Sequence, residues 1–159
     1  MCGVADFRVT DPAAAGSQWA LGQYFAEIGA AFGFETGTAL DDAVTAFAPP
    51  HGVFVIAGAP DHPSACGAVQ FLDDERAEIK RMWVAPAARG QGLAGALLAQ
   101  LEEQIVLAGR RLALLDTNSS LTKAVGLYES RGYARVPDYN GNTDADVWFS
   151  KPLASGRRT

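Results

Sequence analysis

The chain is poor in the residues that build several common kinds of site. Its 159 residues include only two cysteines, Cys2 and Cys66, and two histidines, His51 and His62. The cysteines form no C-x-x-C pair and are too few for a disulfide framework, so each reads as a small hydrophobe or a free thiol. The histidines sit beside prolines with no metal-ligand spacing, and no metal is expected. Basic charge is also scarce. Thirteen Lys and Arg against 18 Asp and Glu leave a net charge of −5, which argues against nucleic acid as a partner and leans toward a cationic acceptor. No apolar run approaches the ~20 residues needed to span a membrane. The opening "MCGVADFRVTDP" has neither a basic start nor an apolar stretch, so no secretory signal is expected and the cytoplasm is the expected location.

What is present is ordinary for a globular protein: 48% hydrophobic and 19% charged residues, with no low-complexity block. One domain is expected over residues 1–153, with 154–159 as a frayed tail. Residues 4–9 alternate as a strand, and "TDPAAAG" leads into a helix over about 13–32, with Trp19, Phe25 or Ile28, and Phe32 on one face. Gly33 and Gly37 interrupt it. A shorter helix over 40–47 is stopped by Pro49-Pro50. Three strands follow, at 52–58, 65–73 and 76–84, joined by short turns that imply an antiparallel meander. Leu93, Leu97, Leu98, Leu101 and Ile105 then share a helical face, with Gly109 as its C-terminal cap. A strand over 111–117 precedes a helix that Ser119 or Ser120 could cap, running to about Arg131 and stopped by Gly132. "YARV" and "ADVWFSK" close the order β-α-α-β-β-β-α-β-α-β-β, a mixed, mostly antiparallel α/β (α+β) sheet flanked by helices.

The stretch "VAPAARGQGLAGALL" (84–98) poses the functional question. Gly90, Gly92 and Gly95 spell G-x-G-x-x-G, and Asp116 follows 21 residues on, as in a dinucleotide-binding fingerprint. That fingerprint wants its first glycine directly after a strand. Here "APAAR" intervenes, half the chain precedes the motif, and the remainder does not alternate as a doubly wound sheet does. The phosphate-holding physics survives this objection. Gly90 and Gly92 let the backbone turn with N–H groups inward and no side chain in the way. A helix start adds unpaired donors and a positive dipole end, with Arg89 alongside. An ordinary glycine-rich turn is the alternative.

"RGQGLA" (89–94) matches the Q/R-x-x-G-x-G/A acetyl-CoA loop of the GNAT N-acetyltransferase superfamily, and "AVGLYESRGY" (124–133) resembles its A-x-x-L-Y-x-x-x-G-F/Y segment. The order and separation of the two segments are also similar to that superfamily's, and the resemblance covers about residues 4–153. It implies a GNAT-like fold in which the strand before the loop carries a bulge and parts from its neighbour. Met82, Trp83 and Val84 would then pair with the pantetheine arm of acetyl-CoA. The N–H groups of Gln91, Gly92, Leu93, Ala94 and Gly95 would hold the pyrophosphate. Asn118 lies where members contact the cofactor, although capping the next helix is an equal reading.

Tyr128 matches the superfamily's tyrosine, implied to return a proton to the departing thiolate; packing on its helix face is the alternative. A lysine-like amine needs about 4–5 kcal/mol to be held neutral at pH 7, so a base is useful. Glu78 stands where some members carry one, although it could equally face solvent or pair with Lys80 or Arg81. Glu27 is the second candidate for base or acceptor contact. Tyr139, Asn140 and Asn142, between the last two strands, would border the acceptor pocket or merely form a hairpin turn. The implied activity is direct acetyl transfer in a ternary complex to a small-molecule or peptide amine. A covalent acetyl-enzyme is disfavoured because neither cysteine lies in the motifs. Dimers are common in the superfamily. A non-catalytic acyl-CoA-binding domain would need the loop but neither Tyr128 nor a base.

Overall fold

The computed structural model describes residues 6–32 and 39–153. Its elements run β1 (Phe7–Thr10), α1 (Ala15–Phe32), α2 (Ala39–Ala46), β2 (Gly52–Gly58), β3 (Pro63–Phe71), β4 (Arg76–Val84), a 3-10 turn (Pro86–Ala88), α3 (Leu93–Leu107), β5 (Leu112–Thr117), α4 (Thr122–Ser130), β6 (Ala134–Val136) and β7 (Val147–Pro152). The predicted order is therefore the observed one. The seven strands form a single sheet in the order β1-β2-β3-β4-β5-β7-β6. All neighbours are antiparallel except β4 and β5, which run parallel.

Alternation along the strands divides the core between the two faces of the sheet. Val55, Val69, Ala77, Ile79 and Leu115 pack on one face against Leu97, Leu98, Leu101 and Ile105 of α3 and Tyr128 of α4. Phe54, Ile56, Cys66, Ala68 and Trp83 pack on the other against Leu21 and Phe25 of α1 and Phe47. Leu101 and Leu97 rest on Gly67 of β3, where an added Cβ would collide with the Leu101 methyl group. No helix among the described residues is long and apolar enough to cross a membrane.

Most boundaries shift by one or two residues, and three element starts differ from expectation. β3 begins at Pro63, inside the "APDHPS" stretch read as a turn, because Pro63 pairs with Gly58 across an irregularity in the register. The helix expected to start on Ser119 or Ser120 begins at Thr122, with Leu121 as an N-cap that supplies no side-chain bond. Both hydroxyls are used elsewhere: Ser119 donates to Asp146 and Ser120 to Asn118. Finally, β1 begins at Phe7; residues 4 and 5, the Gly33–Gly37 interruption and the 154–159 tail lie outside the described residues. Gly109 (φ 83°) and Gly132 (φ 94°) end α3 and α4 in the left-handed region, as their cap positions require.

Leu101 is fully buried at the centre of the larger core. Leu101→Ala is expected to cost about 3 kcal/mol, within the range for buried Leu→Ala changes, read as a lower urea midpoint with unchanged slope.

Candidate active site

The site is generated where two strands stop pairing. β4 and β5 are in register only at Arg76–Leu112, Ala77–Ala113 and Glu78–Leu114. Beyond Glu78, β4 pairs with β3 alone, and its other edge faces an opening. A bulge sits at the same place. Cys66 pairs with Trp83 and Ala68 with Lys80, so Gly67 faces two residues, Arg81 and Met82. Arg81 takes φ 59° to accommodate the extra residue, and the strand bends away. The main-chain edge from Lys80 to Val84 therefore lacks a partner strand on the β5 side and can receive an extended ligand.

The loop after β4 leads to the start of α3. Gly90 (φ 80°) and Gly92 (φ 77°) are left-handed, and nothing lies within 4 Å of where a Cβ would stand on either. Gly92 is the N-cap of α3 and supplies no side-chain cap, so the first N–H groups of the helix remain open to an anion. The Gly95 backbone lies under the Arg131 guanidinium, in the space a side chain would fill. These features fit the diphosphate and pantetheine of acetyl-CoA: open amides, a positive helix end and an unpaired strand edge. Arg89 behaves differently from expectation. Its Nη2 is 2.7 Å and 2.8 Å from the two carboxylate oxygens of Glu27 and its Nε donates to the Val84 carbonyl. Glu27 also accepts from Trp83 Nε1 at 3.1 Å. Two residues read as separate candidates thus form one ion pair beside the loop, and the Trp83 side chain belongs to the α1-side core.

Tyr128 approaches the opening from the α3 face. Its Oη lies 3.8 Å from Met82 Sδ, and its ring meets Tyr133 and Phe149 edge-on or tilted. Burial raises its phenol above the usual 10, and the charges of Tyr24 and Asp116 push the same way. The proton therefore stays on Tyr128 across the working pH range.

On the α1 face a cleft of about 300 Å³ opens at the same gap. Its walls include Tyr24 and Phe25 from α1, Lys80 and Arg81 from β4, Asp116 from β5 and Asn142 from the last loop. Glu78 is only 4% exposed, so the solvent-facing reading is wrong, and its carboxylate does not line the cleft. Oε2 accepts from Tyr139 Oη (2.8 Å) and Asn140 Nδ2 (2.9 Å), while Oε1 pairs with Lys80 Nζ at 3.4 Å. Burial and that bond to Glu78 raise the Tyr139 phenol. Asn140 Nδ2 also donates to Asp116 at 2.6 Å, and Asn142 Nδ2 reaches the same carboxylate at 3.3 Å. Asp116, which the sequence offered only as the acid of a dinucleotide fingerprint, stands one residue before the end of β5 and lines this cleft. Asn118 also lines the cleft, and its Oδ1 accepts from the Ser120 amide and hydroxyl. Cys66 is fully buried and desolvation pushes its thiol up to about 12, so it is inert. Among the described residues no group of three His, Cys, Asp or Glu side chains is placed to hold a metal.

A parted β4–β5 pair, a bare helix start with left-handed glycines and a buried tyrosine at the gap define an acyl-CoA-binding transferase fold. Residues 17–133 match the model of the acetyltransferase (GNAT) family, and the chain belongs to that family of acyl-CoA-dependent N-acyltransferases, whose cofactor is acetyl-CoA. It is 31% identical to an uncharacterized N-acetyltransferase of Schizosaccharomyces pombe, over 66% of this chain and 66% of that protein. It is also 31% identical to an IAA acetyltransferase of Azospirillum brasilense, over 67% of this chain and 71% of the relative. Each match spans about two thirds of the relative's length. The fold is shared with a GNAT-family acetyltransferase of Staphylococcus aureus, with TM-score 0.81 at 12% identity over 95% of this chain and 100% of the other. It is shared too with a GNAT acetyltransferase of Elizabethkingia anophelis with acetyl-CoA bound, with TM-score 0.60 at 19% identity over 74% and 83% of the two chains.

Gly92→Ala is expected to weaken acetyl-CoA binding about tenfold, since a Cβ disfavours the left-handed cap by about 1–2 kcal/mol and intrudes on the open space. Titration calorimetry measures it; an unchanged dissociation constant would remove the loop from the cofactor site.

Proposed function

We propose that the chain transfers an acetyl group directly from acetyl-CoA to a primary amine bound in the α1-side cleft. The observation that carries this reading is the β4–β5 gap, which the Tyr128 hydroxyl approaches from one face of the sheet and the Asp116 carboxylate from the other. The N–H groups of Gln91 to Gly95 would hold the pyrophosphate, and the main chain of Met82 to Val84 the pantetheine arm. Bound there, acetyl-CoA supplies a thioester whose C–S bond is exchanged for a C–N bond to the amine.

The remaining work falls to the chain's own side chains. Tyr128 keeps its proton on Oη in an apolar pocket, aimed toward Met82 and the gap; a buried neutral phenol is suited to give that proton to a developing anion. Among the described residues Asp116 accepts from the amides of Asn140 and Asn142 alone, so its carboxylate can take the ammonium and then its proton. Glu78, held by Tyr139, Asn140 and Lys80, acts as a positioning residue. It fixes the 137–146 loop over the cleft and, through the shared Asn140 amide, orients Asp116. Glu27 supports the cofactor loop through Arg89 in place of serving as base. The inert Cys66 supports direct transfer over an acetylated enzyme.

Two measurements test this assignment. Tyr128→Phe is expected to lower kcat about tenfold or more while the acetyl-CoA dissociation constant holds; full turnover in that variant would instead favour a tyrosine that only packs. Asp116→Asn is expected to lower kcat/KM about 100-fold and remove the acidic limb of its pH profile. Glu78→Gln should lower the melting temperature and leave that limb in place; loss of the limb in Glu78→Gln alone would return the role of base to Glu78.

A further inference from the structure

Among the described residues Arg81 is a cleft-lining cation with no carboxylate beside it. It occupies the bulge at φ 59°, a conformation that side-chain-bearing residues rarely adopt and that marks functional positions when it is retained. Its guanidinium lies 5.1 Å from the Phe25 ring centroid, 5.7 Å from Phe47 and 5.9 Å from Tyr24. The rings offset part of the desolvation of a cation, and the Tyr24 hydroxyl accepts a hydrogen bond from the guanidinium, a neutral partner that leaves the charge uncompensated. Arg81 Nε is buried with no hydrogen-bond partner, and among the described residues no carboxylate is within ion-pair distance of it. The neighbouring cation is in a different state, since Lys80 is paired with Glu78.

The opposite wall has the complementary imbalance. Asp116 faces the same cleft with two amide donors and, among the described residues, no cation within ion-pair distance, and Asp144 lines the cleft as well. A partly buried cation and a carboxylate, each lacking a counter-charge in one cleft, are both satisfied by a ligand that carries both signs. Resting on the acetyl-transfer reading, we propose that the acceptor is an amine that also carries a carboxylate, an amino-acid-like zwitterion. Its carboxylate is gripped by the Arg81 fork and its ammonium lies at Asp116. The planar guanidinium suits a carboxylate in two-point contact, and Tyr24 and Phe25 line the cleft beside it with aromatic surface for the acceptor's carbon skeleton. The net acidity of the chain, which leaned toward a purely cationic acceptor, is a property of its whole surface and does not describe this wall.

The test uses matched acceptors: free amino acids of varied side chain, the same amino acids as α-carboxamides, and the corresponding decarboxylated amines. Thiol release from acetyl-CoA is followed with the full-length protein. The free carboxylates are expected to be preferred over their amides by about 10- to 100-fold in kcat/KM, the worth of a charge-assisted hydrogen-bonded contact. Equal or better use of the amides and amines by the wild-type protein overturns the proposal and leaves acetyl transfer standing. Thiol release with none of the amines, despite acetyl-CoA binding by calorimetry, overturns both. In Arg81→Gln the carboxylate-to-amide ratio should fall toward one, and in Arg81→Lys, which keeps charge but loses the fork, to an intermediate value. A ratio unchanged in either variant that still melts cooperatively also overturns the assignment.

Discussion

The main-chain hydrogen bonds that β4 and β5 do not make are the feature on which the rest of the site depends. Their parallel ladder ends at Glu78 and Leu114, where the Arg81 bulge begins to turn β4 aside. An edge of unpaired N–H and C=O groups inside a sheet is costly unless something satisfies it. In this fold the cost is borne at the point where an extended pantetheine can supply the missing partner. The gap also joins the two faces of the sheet. The charge of Asp116, on the α1 side, acts through it to raise the phenol of Tyr128, which is packed with the α3-side core.

Charge in the cleft is arranged by burial and pairing. Glu78 is nearly inaccessible yet accepts from a phenol, an amide and an ammonium, which is how a buried carboxylate is tolerated. The same bonds hold the last loop. Tyr139 and Asn140 reach Glu78, Trp148 donates to Asn140, and Asn140 and Asn142 reach Asp116. The loop is therefore tied to two adjacent strands just where they diverge, and that wall of the cleft is organised by the protein's own bonds.

The cofactor side carries a tension of its own. The glycine loop is bare and conformationally specialised, while its nearest cation, Arg89, is already bound to Glu27. Both partners are about half exposed, so their attraction is modest and screened by salt. The α3 start presents open backbone amides, and Arg131, lying across Gly95, is the cation whose place beside that first turn follows from α4 packing.

Local chemistry in the sequence was sufficient for the element order, the antiparallel meander, the two glycine caps and the glycine turn into α3 at 90–92, because periodicity, turn residues and left-handed glycines act over a few residues. The two motifs carried the family and the cofactor for the same reason. Residues brought together across the sheet were not legible in this way. Nothing near Glu78 in the sequence shows that Tyr139 and Asn140, 61 and 62 positions away, would bury and occupy it. Nor does anything near Glu27 show that Arg89, 62 positions on, would claim its carboxylate. The serine caps failed likewise, because Asp146 and Asn118 offered Ser119 and Ser120 other partners. Asp116 and Arg81 gained their meaning only when a bulge opened the sheet between them. Side-chain roles at this site are set by which groups compete for each donor and acceptor, and that competition exists only once the strands are paired.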